Sequence, residues 1–165
     1  TLALTDELTQ LPNRRAFYQM AECQHSQAVR YCHSYCVMMF DIDNFKSIND
    51  TFGHAAGDKV LCSLADLVRK IIRKSDVIGR IGGEEFAMML PETEIEEAKD
   101  MAERLRAHVE QCQVKFEQQT IRFTLSIGVA QQPDYKQSFD SILAQADTVL
   151  YQAKASGRNK VNCIA

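Results

Sequence analysis

The feature that most constrains this chain is the apolar run from Tyr35 to Phe40, which ends directly on an acidic segment. The run reads YCVMMF and shows no alternation of apolar and polar residues, which is typical of a strand covered on both faces. Asp41 and Asp43 follow it at once. The sequence therefore predicts a central, fully buried strand that brings carboxylates to one edge of a sheet.

Apolar periodicity predicts helices and strands in alternation along the rest of the chain. The predicted helices are one that begins near Pro12 and others over Val60 to Ile72, Ile95 to Val109 and Phe139 to Ala153, with Gly157 as the last C-cap. The predicted strands are a hairpin of Val77 to Ile81 and Phe86 to Leu90 about Gly82-Gly83, a single half-buried strand from Ile121 to Val129, and a closing strand from Lys160 to Ile164. This order indicates one α/β domain over residues 1–165 with a largely antiparallel sheet.

Composition narrows the classes of partner. The chain has 165 residues with 19 basic and 22 acidic side chains and a net charge of -3, which suits one globular domain. This balance argues against the broad basic face that duplex DNA or an acidic membrane requires. No apolar stretch approaches the roughly 20 residues of a membrane helix. We expect neither DNA nor a membrane to contact this segment.

The chain begins at Thr1 with neither an initiating Met nor a signal-peptide pattern, which predicts a piece of a longer protein.

The six cysteines include no CxxC pair and no zinc-finger spacing, so we expect reduced thiols and a cytoplasmic location. This location is also expected if a preceding region anchors the parent protein in a membrane. Cys32 and Cys36 are interpreted as structural. The segment after Phe40 is not a calcium loop, because Phe45 and Lys46 replace an oxygen ligand and the required glycine.

A second acidic pair, Glu84 and Glu85, follows the Gly-Gly turn of the predicted hairpin. If the strand ending at Phe40 neighbours this hairpin, Asp41 and Glu84 lie close together, and their like charges repel unless a divalent cation neutralises them. Mg²⁺ suits such a pair, because it takes few protein carboxylates and completes its shell with water and phosphate oxygens. The alternative is that these acids are only solvated turn residues.

Six motifs give the chain a family resemblance. In chain order they are DELTQLPNRR at 6–15, FDIDNFKSIND at 40–50, FGH with GD at 52–58, IGGEEF at 81–86, ADTVLYQAK at 146–154 and GRN at 157–159. In order and spacing the set resembles the GGDEF family, the bacterial diguanylate cyclases, over essentially the whole chain. Gln10, Glu84 and Val149 are variants of its commoner residues and do not disturb the match.

The resemblance implies a fold and an activity. The fold is a mostly antiparallel five-stranded sheet wrapped by helices, similar to the palm of nucleotide cyclases. The activity is the condensation of two GTP molecules into cyclic di-GMP with release of two pyrophosphates. Because each GTP-bearing domain would supply half of the site, the resemblance also implies a transient homodimer.

It also implies roles for individual residues. Asp41, the backbone carbonyl of Ile42 and Glu84 match the site for Mg²⁺, with Mn²⁺ as an alternative; Glu84 and Glu85 are both candidates for helping to deprotonate the ribose 3′-hydroxyl, and Lys46 matches the transition-state lysine. The substrate-binding positions are Asn49 and Asp58 for guanine, His54 beside the nucleotide, and Lys154 and Arg158 for the triphosphate. Asp58 as a helix cap and Arg158 as a cation at a helix end are the structural alternatives.

The segment Arg73-Lys74-Ser75-Asp76 matches an RxxD pattern at the family distance before Gly82. With Arg104, this pattern resembles a site where cyclic di-GMP inhibits the enzyme. The competing functions are a catalytically silent receptor for cyclic di-GMP or GTP and a related cyclase that makes another cyclic nucleotide. Asn49 and Asp58 favour guanine as the base that is bound, which argues against the related cyclase.

Overall fold

A computed structural model describes residues 3–132 and 137–164, so the predicted domain ends, residues 1–2 and 165, lie outside it. The helices and strands follow in this order: α1 Arg14–Tyr31, β1 Tyr35–Ile42, α2 Phe45–Phe52, α3 His54–Ile71, β2 Val77–Arg80, β3 Glu85–Pro91, α4 Ile95–Gln111, β4 Val114–Phe116, β5 Gln119–Ile121, β6 Leu125–Gln131, α5 Phe139–Ala155 and β7 Lys160–Ile164.

The principal sheet has five strands in the order β2-β3-β1-β6-β7. β1 lies at its centre and pairs antiparallel with β3 and β6, while β2 and β3 form an antiparallel hairpin. β7 pairs parallel with β6. The predicted fold class is confirmed, with the correction that the sheet is mixed, because α5 crosses over between its last two strands.

Helices cover both faces of this sheet, which explains why the β1 run does not alternate. Every residue of β1 is buried. One face, with Met38 and Phe40, packs with apolar residues of α3 and α4. The other face, with Val37 and Met39, packs with residues of α1 and α5. Among the described residues, none of the helices combines the length and the apolar character that a bilayer-spanning segment needs.

Three predicted helix boundaries need correction. α1 begins at Arg14, because the Asn13 side chain accepts a hydrogen bond from the Ala16 amide and serves as N-cap. Pro12 therefore lies outside the helix. α5 ends at Ala155 with Ser156 as C-cap, and Gly157 follows with a φ of 124°. The polar stretch after β1, to which no element was assigned, contains α2 and the first turns of α3.

The single strand predicted over Ile121 to Val129 is wrong. This segment splits between β5, which pairs with β4 in a separate two-stranded sheet, and β6 in the principal sheet. Leu125 to Ala130 are all buried, so their alternation reflects side-chain size and not exposure. Gly128 lies against α5, where a Cβ would overlap the Ala146 carbonyl oxygen and the Leu150 amide nitrogen.

Candidate active site

The end of β1 meets the turn of the β2–β3 hairpin at one edge of the sheet. Asp41 is the register partner of Glu85, and the Ile42 amide donates to the Glu84 carbonyl at 3.3 Å. The predicted proximity of the two acidic segments is therefore present. The resemblance assigned three groups to the metal, and all three come from this edge.

Asp41 is a desolvated carboxylate that already contacts a cation. It is 5% exposed, and burial raises its pKa to about 6 despite the opposing hydrogen bond and charge of Lys154. The charges of Glu84 and Glu85 raise that pKa further. Lys154 reaches it from α5, where its ammonium donates to Asp41 Oδ2. Like-charged neighbours and burial together make this edge a place where a cation is stabilising.

The donor set fits Mg²⁺. Over residues 3–132 and 137–164, no three His, Cys, Asp or Glu side chains cluster closely enough to hold an ion by themselves. The set that the resemblance implies is smaller, with the carboxylates of Asp41 and Glu84 and the carbonyl of Ile42. Mg²⁺ takes one or two protein carboxylates and leaves its other positions for water and phosphate oxygens, and the cation already drawn to Asp41 is consistent with that chemistry.

Glu85 borders a cavity between α1, α5 and the hairpin. Burial raises the pKa of this half-buried carboxyl, and the charge of Asp147 adds to the effect, whereas Lys154 and Arg14 oppose it. The cavity has a volume of about 330 Å³ and is lined in part by Arg14, Tyr18, Glu85 and Asp147. Sequence reasoning gave no role to Arg14 or Asp147, although both stand inside the motifs that carry the resemblance.

An ion pair braces the hairpin turn. The Arg80 guanidinium donates to the Gly83 carbonyl at 2.7 and 3.0 Å and pairs with Asp6 at 3.1 Å. Burial alone would raise the pKa of Asp6, but hydrogen bonds from Thr9 and the Arg80 guanidinium lower it below its ordinary value. The sequence analysis missed Arg80, and its position directly before the IGGEEF motif was the available signal.

The predicted guanine-binding residues lie on α2 and α3. Gly57 lacks a side chain, and the Asn49 carboxamide occupies the space where a Cβ would stand. Asn49 Oδ1 is buried and has no hydrogen-bond partner among the residues described. A buried acceptor without a partner is costly, so this placement of the Asn49 carboxamide is unfavourable by itself.

His54 and Asp58 are exposed on α3 near Asn49. The Gly53 amide before His54 donates to the Asn49 carbonyl at 2.8 Å, and Asp58 directly follows Gly57. Gly53 is the N-cap of α3, so the alternative interpretation of Asp58 as a cap is wrong. The model therefore brings the three predicted nucleotide-contacting residues to the junction of two helices.

The predicted phosphate-binding cations differ in their surroundings. Lys154 contacts Asp41, whereas Arg158 lies beyond the end of α5 and does not share a helical face with Lys154. Lys46 is exposed on the first turn of α2. Within the described ranges, neither Lys46 nor the Arg158 guanidinium has a hydrogen bond or an ion pair, so both cations are available to an anionic ligand.

Asp43 has a different role from Asp41. Its side chain accepts from Ser126 Oγ at 2.6 Å, from Thr124 Oγ1 at 2.7 Å and from the Asn159 amide at 2.9 Å. It is 4% exposed. These bonds tie β1 to β6 and to the loop before β7, so Asp43 is a structural carboxylate.

Arg73 and Arg104 lie together at a separate site. They line a cavity of about 90 Å³ with Thr93 and Glu97, among other residues. Asp76 does not line this cavity; it accepts from the Arg73 amide at 2.8 Å and from the Arg73 guanidinium at 3.0 Å. The hydrogen bond to Asp76 is also the main reason that the pKa of Arg73 is raised.

Known proteins are similar to this chain over most of its length. The family model described as "Diguanylate cyclase, GGDEF domain" matches residues 3–160. Diguanylate cyclase DgcM of Escherichia coli K12 is 40% identical over 156 residues, which are 94% of this chain and 37% of that protein. Diguanylate cyclase DgcP of Pseudomonas aeruginosa is 40% identical over 159 residues, 96% of this chain and 24% of that protein. The chain spans well under half the length of these curated relatives.

Solved structures of similar domains have the same fold as this chain. The GGDEF domain of DgcB from Caulobacter crescentus, solved in complex with c-di-GMP, superposes with a TM-score of 0.94 at 32% identity, covering 99% of this chain and 94% of that chain. The active GGEEF domain of a diguanylate cyclase from Vibrio cholerae gives a TM-score of 0.89 at 36% identity, covering 94% of this chain and 99% of that chain.

Proposed function

The chain belongs to the GGDEF family of diguanylate cyclases, and on that premise we propose that it condenses two GTP molecules into cyclic di-GMP and two pyrophosphates. The observation that carries the proposal is the meeting of Asp41, Ile42 and Glu84 at one sheet edge beside the cationic Lys154. A buried carboxylate, a second acid and a cation at the same sheet edge suit the binding of a metal ion and a polyphosphate.

The reaction is a double transfer of nucleotidyl groups. The 3′-oxygen of one GTP forms a bond to the α-phosphorus of the other, the bond from that phosphorus to the bridging oxygen breaks, and pyrophosphate leaves. The exchange occurs once in each direction. When bound by Asp41, Glu84 and the Ile42 carbonyl, Mg²⁺, or Mn²⁺ in its place, would supply charge neutralisation at the entering and leaving oxygens.

A carboxylate at the same edge would accept the proton from the 3′-hydroxyl. Glu84 and Glu85 are both candidates. The raised pKa of Glu85 supports a part in this transfer, because a more basic carboxylate accepts a proton more readily near neutral pH. Lys46 would then stabilise the growing negative charge on the phosphate.

Asn49 and Asp58 would recognise guanine beside His54. A carboxamide and a carboxylate both offer acceptors for the donors on the Watson–Crick edge of guanine. The Watson–Crick edge of adenine has one donor group, its N6 amino group, where guanine has two, so adenine would leave an acceptor unpaired, which supports GTP as substrate over ATP. Lys154 and Arg158 would hold the triphosphate.

The proposal also covers assembly and inhibition. Two domains would face each other across the nucleotides as a transient homodimer, and residues 1–165 would be the catalytic unit of a longer protein. Cyclic di-GMP would bind at Arg73 and Arg104, with Asp76 holding Arg73, which is supported by the cavity that the two arginines line. A cytoplasmic location stays a prediction from the cysteine pattern.

The direct test incubates the purified domain at high concentration with GTP and Mg²⁺ and identifies the products by chromatography. We expect cyclic di-GMP and pyrophosphate, and we expect no product from Asp41→Ala. Asp100→Ala, which removes an exposed acid on α4, is the matched control and should keep wild-type turnover. Wild-type turnover by Asp41→Ala would contradict the metal assignment.

The same assay distinguishes the proposed cyclase from the two alternative functions. Tight binding of GTP or cyclic di-GMP without any turnover would instead identify a receptor module. A mixed or monocyclic product from GTP and ATP supplied together would identify another cyclase specificity.

The inhibitory site is tested by titrating cyclic di-GMP into the active enzyme. Arg73→Ala should shift half-inhibition to at least about tenfold higher product concentration, because it removes a charged, bidentate donor. Lys74→Ala, an adjacent exposed cation, is the control. Unchanged product affinity in Arg73→Ala would contradict the assignment.

A further inference from the structure

The loop after α5, which carries Arg158, has a strained backbone. Gly157, Arg158 and Asn159 have φ values of 124°, 64° and 49°. Glycine adopts positive φ freely and asparagine tolerates it, whereas an arginine there carries a steric cost, so the conformation at Arg158 is unfavourable by itself. Such a conformation persists only where surrounding contacts hold it.

Those contacts converge on Asn159. Its amide donates to Asp43 Oδ2 at 2.9 Å, its Oδ1 accepts from the Arg106 guanidinium at 2.8 Å, and its Nδ2 donates to Glu110. Arg106 and Glu110 also pair with each other at 3.3 Å on α4. One residue therefore ties the loop to the end of β1 and to a neighbouring helix.

The start of the same segment is fastened as well. Lys154, in the last turn of α5, contacts Asp41, two residues before Asp43 on the chain. The Arg158 amide donates to the Ala153 carbonyl at 3.0 Å, which closes the helix end. Arg158 thus lies between two anchors, with an exposed guanidinium that contacts no acceptor in the described ranges.

We propose that Asn159 is a positioning residue that fixes the loop, and with it the backbone position from which the Arg158 side chain reaches the GTP triphosphate. The inference rests on the proposed function, which assigns Arg158 to the triphosphate. Guanidinium and phosphate bind best through paired, directional hydrogen bonds. A loop held in place before binding loses less conformational freedom when the ligand arrives, so its affinity is higher.

The test measures binding of a GTP analogue whose α,β-bridging oxygen is replaced by a methylene group, with Mg²⁺, by titration calorimetry. Asn159→Gly keeps the hydrogen bond from the backbone amide to Asp43 and tolerates the positive φ, but it removes both side-chain contacts to α4. We expect about tenfold weaker binding, similar to Arg158→Ala. The double variant should bind no more weakly than Arg158→Ala alone, because Asn159 acts through that side chain.

Gln118→Gly is the matched control. Gln118 also has a positive φ, of 67°, and lies in the exposed β4–β5 turn, so this change should leave analogue affinity unchanged. A second pair keeps the loop sequence intact: Glu110→Ala should weaken binding, whereas Glu110→Gln retains an acceptor for Asn159 and should keep most of the affinity. This pair also decides the question if Asn159→Gly does not fold.

The outcomes separate this inference from the proposed function. Wild-type analogue affinity in Asn159→Gly, or additive losses in the double variant, would overturn the positioning role while leaving the cyclase activity standing. A wild-type protein that binds the analogue but makes no cyclic di-GMP from GTP, and whose affinity for the analogue falls in Asn159→Gly, would overturn the cyclase proposal and keep the positioning role. No binding by the wild type would overturn both.

Discussion

Asp41 and Asp43 stand two residues apart, yet the structure gives their carboxylates different partners. Asp43 accepts from three neutral donors, two hydroxyls and an amide. Asp41 contacts the flexible cation Lys154, and burial raises its pKa. A carboxylate held by fixed neutral donors is structural, whereas one neutralised by a long, flexible side chain can exchange that partner for another cation. This difference is why Asp41 is the candidate metal ligand.

At the same scale, Gly57 is predicted to control nucleotide binding without touching the nucleotide. In Gly57→Ala the new Cβ would displace the Asn49 carboxamide. We expect GTP-analogue affinity to fall about tenfold, since a misplaced amide loses its bond to guanine. Lys59→Ala, an exposed change two residues further on, should leave affinity unchanged. Calorimetry on both variants checks this, and equal affinities would refute the proposed role of Asn49.

Asp6 gives a prediction for stability against pH. Its folded-state pKa is lowered, so its charged form contributes stability that is present above the unfolded-state pKa and is lost as pH falls below about 4. Asp6→Asn should therefore lower the free energy of unfolding by about 1 to 2 kcal/mol at neutral pH. The difference from wild type should shrink on acidification.

The control for this change is Asp66→Asn. Asp66 pairs with Arg69 at 3.0 Å, but its side chain is 70% exposed, so its loss should cost little at any pH. Urea unfolding at a series of pH values measures both variants. An Asp6→Asn deficit that does not change with pH would count against the ionised Asp6–Arg80 pair.

At the scale of elements, the contact between β6 and α5 places Lys154. Gly128 lets the helix backbone approach the strand closely, and this approach supports the helix end from which Lys154 reaches Asp41. The α5–β6 contact thus joins core packing to the candidate active site. A change in that spacing would move the cation as well as the core.

Gly128→Ala tests this contact. The added methyl group would overlap backbone atoms that no side-chain rotation can relieve, so we expect a loss of about 3 kcal/mol in stability and a loss of turnover. Gly83→Ala adds its methyl group where no atom of the described residues lies within 4 Å, and its stability should equal that of wild type. Chemical denaturation compares the two, and equal stabilities would show that α5 moves without cost.

At the scale of the whole molecule, the sheet separates the two proposed ligand sites. Asp41 and Glu84 lie where β1 ends and β3 begins, whereas Arg73 and Thr93 lie just outside the start of β2 and the end of β3. The length of β3 sets the two sites about 20 Å apart. A product molecule bound at the second site would therefore not overlap a nucleotide at the first.

One domain contains a single set of the predicted site residues, whereas the proposed reaction needs two bound GTP molecules. We expect specific activity to rise with protein concentration, because encounter of two domains precedes chemistry. Fusion to a dimerising coiled coil should raise activity at low concentration, and the same fusion carrying Glu84→Ala should be inactive. Specific activity that is independent of concentration in the unfused domain, measured where the protein is a monomer, would contradict a transient homodimer.

Much of the fold and of the site chemistry was predictable from local pattern. The unalternating run from Tyr35 to Phe40 identified a strand buried on both faces, and the Gly82-Gly83 turn identified the hairpin beside it. These predictions succeed because burial, turn conformation and residue type act within a few positions along the chain. The order and spacing of the motifs along the chain also identified the family.

Which distant groups meet depends on the three-dimensional packing of the chain. The Arg80–Asp6 ion pair, the Asn159 contacts to α4 and the close approach of α5 to Gly128 all join residues far apart along the chain. Sequence periodicity cannot distinguish a position that is small because it faces solvent from one that is small because a helix packs there. That distinction depends on the packing of elements from different parts of the chain, and so do the pairings that hold the candidate site.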